Sequence, residues 1–214
     1  MDPRKLPRPT VNYYPDALER TPGIEDILRL YDGVFTSVRP TPDWMEWLPT
    51  GWDPSIHVDK GYRVRDWDTI YVGTRNSDYK ERMIQGINPQ ALYGNGWDNS
   101  IPPKYLHDLV DVLNRGKVLI DVHQSPHVGV NRKLFEMISC GLTIVDRVPG
   151  VMEILGEVFG LLVTYTNVDE ARSLVDYFLR NPEEREKVWK KEKEKIQPYT
   201  YVNAASKVIG SVRR

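Results

Sequence analysis

The chain has one cysteine, Cys140, among its 214 residues. No disulfide can form within it and no cysteine-based zinc site can be assembled. A reducing, cytoplasmic setting is the expectation. An excess of one charge is missing as well: 29 Lys and Arg stand against 30 Asp and Glu, for a net charge of −1. Such a balance offers no broad field to hold nucleic acid or an anionic membrane. Local basic clusters can still hold a small phosphate ligand. No apolar run approaches the ~20 residues that span a bilayer. Met1 to Thr10 is polar and proline-rich, without the apolar stretch of a signal peptide. Internal repeats and low-complexity blocks are lacking. So are the Gly-x-Ser-x-Gly elbow, the Walker loop and the Gly-x-Gly-x-x-Gly fingerprint. His57, His107, His123 and His127 show neither His-x-x-x-His spacing nor paired metal carboxylates, so no metal site is expected.

What is present is a chain with 40% hydrophobic residues, enough for one good core plus a small appendage. Up to about Pro54, proline and tryptophan are frequent. Val11 to Tyr14 and Val34 to Thr36 read as short strands. Gly23 to Leu30 reads as a helix, with Thr21 and Pro22 as cap and first helical position. Leu48 to Pro54 is a turn-rich connector. Beyond Asp68 the pattern changes. Strands are expected at Thr69 to Val72, Ala91 to Tyr93, Val118 to Val122, Leu142 to Val145 and Leu161 to Thr164. Helices are expected at Asp78 to Gly86, Pro102 to Asn114, Lys133 to Ser139, Val151 to Leu155, Val168 to Leu179, Pro182 to Ile196 and Val202 to Val212. This alternation implies parallel βαβ units and an α/β, doubly wound, Rossmann-like sheet. Ligands then bind beyond the carboxyl ends of the strands.

The loops at those ends carry the candidate chemistry. Ser125 to Glu136 leaves a buried strand, crosses a loop and opens a helix. Free N–H groups at a helix start favour an anion. Arg132 and Lys133 add full charges there, which by itself disfavours the helix dipole and points to an external anion. A solvated basic turn is the alternative. Glu136 can accept hydrogen bonds from a ribose diol, or serve as an ordinary helix-start carboxylate. Arg75, after Gly73 and Thr74, can hold phosphate in bidentate fashion or be an exposed loop residue. Gly94-Asn95-Gly96 is either a turn or a place of close ligand approach. Lys80 reads as a helix surface residue. Asp66-Trp67-Asp68 has a metal-binding form but precedes its strand, so it reads as a solvated loop. The mixed-sign run Glu183 to Lys195 reads as a solvated helix face.

Lys133 to Asp146, with Pro149-Gly150 and Glu153 following, resembles the donor-binding signature of GT-B glycosyltransferases, the CgeB-like branch in particular. Tyr71-Val72-Gly73 looks like the first strand of the donor domain. Tyr93 to Trp97 is similar to the second strand and its loop. Leu179 to Arg185 and Tyr199-Thr200 resemble the C-terminal helices, and Leu48 to Pro54 the interdomain connector. The resemblance runs from about Tyr31 to the end. It implies a metal-independent, retaining transfer of sugar from a nucleotide-diphosphate sugar to an unknown acceptor. Lys133 and Arg75 would act on the diphosphate. Gly73, Thr74, Gly94, Asn95, Gly96, His127, Gly129, Asn131, Arg132 and Glu136 would line the donor site, with Glu136 at the ribose. One departure stands out: Val128 occupies the place, eight residues before Glu136, where many retaining relatives carry a second Glu.

Residues 1–54 are then a reduced acceptor-side segment with connector, and residues 55–214 the donor-binding domain. The first segment is too short for a full Rossmann domain. Its expected strands and the exposed-looking Trp44 and Trp47 suggest that a second copy or a partner chain completes the acceptor side; the alternative is that the segment folds back onto the donor domain as a small cap, leaving a monomer. The rival reading is a nucleotide-sugar-binding or partner-docking module without turnover.

Overall fold

The computed structural model describes residues 3–14, 18, 21–37, 41–62, 64–98, 100–123, 132–148, 151, 160 and 162–212, without the side chains of Arg132 and Val212. A small sheet comes first. Strands β1 (Val11–Tyr14), β2 (Gly33–Thr36) and β3 (Glu46–Trp47) run parallel in that order. Helix α1 (Ile24–Leu28) lies between β1 and β2 and is shorter than the sequence suggests. Gly23, with φ of 79°, occupies the N-cap, so the chain is still turning where Thr21 and Pro22 were expected to start the helix. Leu28, Val34 and Met45 form the local core. Trp44 and Trp47 are half-buried rather than exposed. The Arg29 guanidinium lies 4.4 Å from the centroid of the Trp44 ring, and Trp47 packs against the core of the larger unit.

The larger sheet holds β4 (Trp67–Val72), β5 (Ala91–Tyr93), β6 (Gly116–Asp121), β7 (Thr143–Asp146) and β8 (Val163–Tyr165). Its order is β5-β4-β6-β7-β8 and every neighbouring pair is parallel. Helices cover both faces, which is why the strands read as continuous apolar runs. On one face, α2 (Asp78–Ile87), α5 (Val168–Arg180) and α6 (Pro182–Lys195) pack on Tyr71, Val118, Ile120 and Ile144. On the other, α3 (Leu106–Asn114) and α4 (Arg132–Cys140) pack on Ile70, Val72 and Leu119. Full burial of each such aliphatic side chain contributes about 1.5–3 kcal/mol. The last helix is α7 (Tyr201–Val212). No helix among the described residues is long and apolar enough to cross a membrane.

Three local expectations need correction. Helix α3 starts at Leu106 rather than Pro102, because Ile101 pairs with Tyr93 and its following prolines hold the chain extended. Lys80 is buried, its Nζ donating to Asn76 Oδ1 at 2.9 Å. The run from Glu183 to Lys195 is not wholly a solvated face: Trp189 and Glu192 are buried, three residues apart on one side of α6. Asp66 and Asp68 pair with Arg115 and Lys117 at 2.6 and 2.5 Å, at the amino end of β4 and away from its carboxyl end. The expected helix from Val151 lies outside the described residues apart from Val151 itself.

Candidate functional site

Strand order reverses between β4 and β6, since β5 follows β4 on one side and β6 returns on the other. The carboxyl ends of these two strands therefore flank a crevice. Into it open the loop 73–77 and the first turn of α4.

The first wall is two loops zipped together. Gly73 N–H donates to Tyr93 O at 2.8 Å, and Arg75 N–H to Asn95 O at 3.0 Å. Trp97 Nε1 donates to Gly73 O at 2.6 Å. Gly94 has φ of 138°, and a Cβ there would stand 2.1 Å from the carbonyl oxygen of Gly73. The glycine is thus required by the approach of another main chain. Replacing Gly94 with Ala should cost roughly 3 kcal/mol through backbone strain and loop separation. A urea midpoint that does not move would show the loops are not in contact. Gly96, with φ of 81°, turns the chain beside Arg75. Thr74 contributes its carbonyl, 3.4 Å from Lys80 Nζ.

Gly73 also makes room for charge. A Cβ there would stand 2.4 Å from Tyr71 Oη and 2.9 Å from Lys133 Nζ. Lys133 reaches from the first turn of α4 across the crevice, and its ammonium donates to Val72 O. It lies 5.5 Å from the Tyr71 ring centroid. Burial pushes the Tyr71 hydroxyl far above its ordinary pKa, so no negative charge forms there. Arg75 lies in the neighbouring loop, half-exposed, its Nη2 2.8 Å from Glu81 Oε1. An exposed pair of this kind contributes about 0–1 kcal/mol, so an anion can recruit the guanidinium cheaply. The main chain of Arg132 opens α4. His127, Gly129 and Asn131 lie outside the described residues, as do Ser125 and Val128.

Glu136 sits in the next turn of α4 and is buried. Its Oε1 is 3.6 Å from Nε2 of His57, a buried residue just past the connector. The pairing joins residues far apart in the chain, and no local pattern announces it.

Beyond the ends of β6 and β7 lies a buried cluster that sequence reasoning missed. His123 N–H donates to Asp146 Oδ2 at 2.9 Å, and its Nδ1 lies 2.5 Å from Asp146 Oδ1 and 3.1 Å from Asp121 Oδ2. The paired carboxylates thought absent are brought together by strand pairing, with Asp121 opposite Val145. The available signal was a carboxylate closing each of two apolar strands. Desolvation lifts the Asp121 carboxyl above its ordinary range; His123 and Lys133 oppose the lift. Desolvation pulls the His123 imidazole down, but Asp121 and Asp146 outweigh it and its pKa rises. Tyr79, its hydroxyl 3.4 Å from Asp146 Oδ2, is pushed up to about 12 by burial and by that carboxylate. The three side chains could hold a cation, since their ligand atoms lie within 4.8 Å of one another. The 2.5 Å separation of His123 Nδ1 from Asp146, however, is that of a hydrogen bond. Two ligands of one ion stand roughly 3 Å apart.

The chain is similar to known structures over nearly its whole length. Anabaena HepE, solved in complex with UDP and glucose, superposes with a TM-score of 0.74 at 12% identity, covering 96% of this chain and 72% of that one. Sucrose-phosphate synthase from Thermosynechococcus elongatus gives 0.64 at 11% identity, covering 98% and 68%. A UDP-forming α,α-trehalose-phosphate synthase from Burkholderia xenovorans gives 0.64 at 10% identity, covering 97% and 69%. At such identities the likeness is one of fold. No curated protein matches the sequence. A family model described as glycosyl transferase-like matches residues 76–210, more than half of the chain. The chain belongs to this glycosyl transferase-like family and is a GT-B glycosyltransferase.

Proposed function

We propose that the donor is a uridine diphosphate sugar, that its diphosphate lies across the β4–β6 crevice, and that transfer proceeds with retention and without a metal. The observation that carries this reading is Lys133. Its ammonium spans from the start of α4 to the end of β4, at a glycine that keeps the space beside it open. Cleavage of the sugar–phosphate bond builds negative charge on the departing diphosphate. Fixed positive groups aimed at that charge lower the barrier. Lys133, the N–H groups that open α4 and a recruited Arg75 supply them from the protein alone. Glu136 then takes the ribose hydroxyls. The fold likeness to HepE, solved with UDP, supports uracil as the base. Retention rests on the resemblance of the Lys133–Asp146 segment to retaining enzymes.

Calorimetry with UDP, GDP and ADP tests the donor: UDP should bind most tightly, and failure of all three sinks the reading. Turnover of UDP-sugar should survive EDTA. A loss restored by Mg²⁺ or Mn²⁺ would overturn metal independence and turn attention to Asp121, His123 and Asp146. The anomeric configuration of the product, read by NMR, decides retention.

A further inference from the structure

The connector between the two sheets ends in a turn that touches α4. Trp52 starts it: its N–H donates to Tyr199 O at 3.1 Å, and its carbonyl accepts from Tyr201 N–H at 3.0 Å. Asp53 follows, its carboxylate accepting from Ser55 N–H at 2.8 Å and Ser55 Oγ at 2.6 Å. The Asp53 carbonyl accepts from the N–H groups of Ile56 and His57, at 3.1 and 2.8 Å. The turn so closed delivers the His57 ring, 4% exposed, to Glu136.

Hydrogen bonding fixes which ring nitrogen carries the proton. Asp53 N–H lies 3.2 Å from His57 Nδ1. The Asp53 carbonyl is also 3.2 Å from that nitrogen. It already accepts two main-chain N–H groups, which engages both of its lone pairs. Nδ1 therefore accepts from Asp53, and the proton sits on Nε2, facing the Glu136 carboxylate.

We infer that His57 is a positioning residue of the donor site, its Nε2–H fixing the orientation in which Glu136 meets the ribose hydroxyls. This rests on the reading of Glu136 as the ribose ligand. The connector is then part of the donor site as well as a link. A second group that locks the rotamer of a ligand-binding side chain preserves its geometry when the ligand arrives. At 3.6 Å the contact is electrostatic, between the Nε2–H dipole and the carboxylate and outside hydrogen-bond range, so the effect is a moderate one.

Calorimetry with UDP and with 2′,3′-dideoxy-UDP, which lacks the ribose diol, tests the inference. The ratio of the two dissociation constants is internal to each protein, so a loss of active fraction cancels. The wild type should prefer UDP, and E136Q should abolish the preference. H57N places an oxygen where Nδ1 stands and keeps the Asp53 bond, but it is too short to reach Glu136. H57Q reaches Glu136 with an amide N–H and gives up the Asp53 bond. H57N should lower the preference about fivefold, and H57Q should hold it within about twofold of wild type. The opposite order, or an unchanged ratio in H57N, assigns His57 to the turn alone and overturns the inference. An unchanged ratio in E136Q overturns the ribose reading itself.

Discussion

Replacing Lys133 with Met should lower kcat/KM for a UDP-sugar by about 10²–10³-fold. The substitution keeps the length and packing of the side chain and removes only the charge. That charge stands at the end of β4, beside Gly73, where a Cβ would already be crowded. The diphosphate is more negative when the sugar leaves than when the donor is bound. The loss should therefore appear mainly in kcat, with KM changed far less. Lys133→Arg should not rescue, since the guanidinium is wider than the space that Gly73 leaves. Arg75→Ala should cost less, because its guanidinium is half-exposed and already engaged by Glu81. A Lys133→Met enzyme with kcat within threefold of wild type would remove Lys133 from the reaction.

The second large effect concerns stability and pH. Glu192 is completely buried in α6, its oxygens accepting from Thr143 N–H at 3.3 Å and Val163 N–H at 3.0 Å. These groups lie at the beginnings of β7 and β8, the opposite edge of the sheet from the crevice. Burial raises its pKa from 4.5 to about 8, against the pull of the two N–H groups. Below pH 4.5 both the folded and the unfolded chain hold this proton. Between 4.5 and about 8 only the folded chain holds it, so stability falls as pH rises. The slope is about 1.4 kcal/mol per pH unit, and the whole loss is on the order of 5 kcal/mol. Above that window the loss is complete and the curve flattens. Urea unfolding of wild type and Glu192→Gln at several pH values isolates the group. Glutamine mismatches one of the two N–H groups, a cost that does not depend on pH. Relative to wild type, the variant should therefore gain stability steadily from pH 5 to pH 8. A constant difference across that range would place an ionised carboxylate in the core.

Glu192 also shows where the sequence was opaque. The run around it, rich in Lys and Glu, carries the signature of a solvated helix, and most of α6 is one. Tertiary packing turns one of its faces inward: Trp189 Nε1 donates to Ile138 O of α4 at 2.7 Å, and Glu192 meets the starts of β7 and β8. The strands were legible for the opposite reason. Burial on both faces demands unbroken apolar runs, and Thr69 to Val72 or Val118 to Val122 can hardly be anything else. Lys133 and Glu136 could be singled out because a helix start after a buried strand is a local pattern. His57 and the Asp121–His123–Asp146 cluster could not. Their meaning lies in pairings between strands, or between connector and helix, that no window of sequence contains. Leu106 is exposed because it is the first residue of α3, with φ of 49°, ahead of the face of that helix that packs on the sheet.

The clasp on Trp52 has a consequence in time. Its indole donates to the carbonyl of Ile196, 144 residues further along, and its main chain bridges to Thr200. Contacts that close so long a loop form late, after shorter-range units have ordered. During synthesis the small sheet and the βα units of the larger one emerge long before residues 196–200 do. The connector, and with it His57, stays untethered at Trp52 until residues 196–200 have left the ribosome. Seating of the His57 turn against Glu136 is therefore a late step of folding, set by a contact 144 residues long.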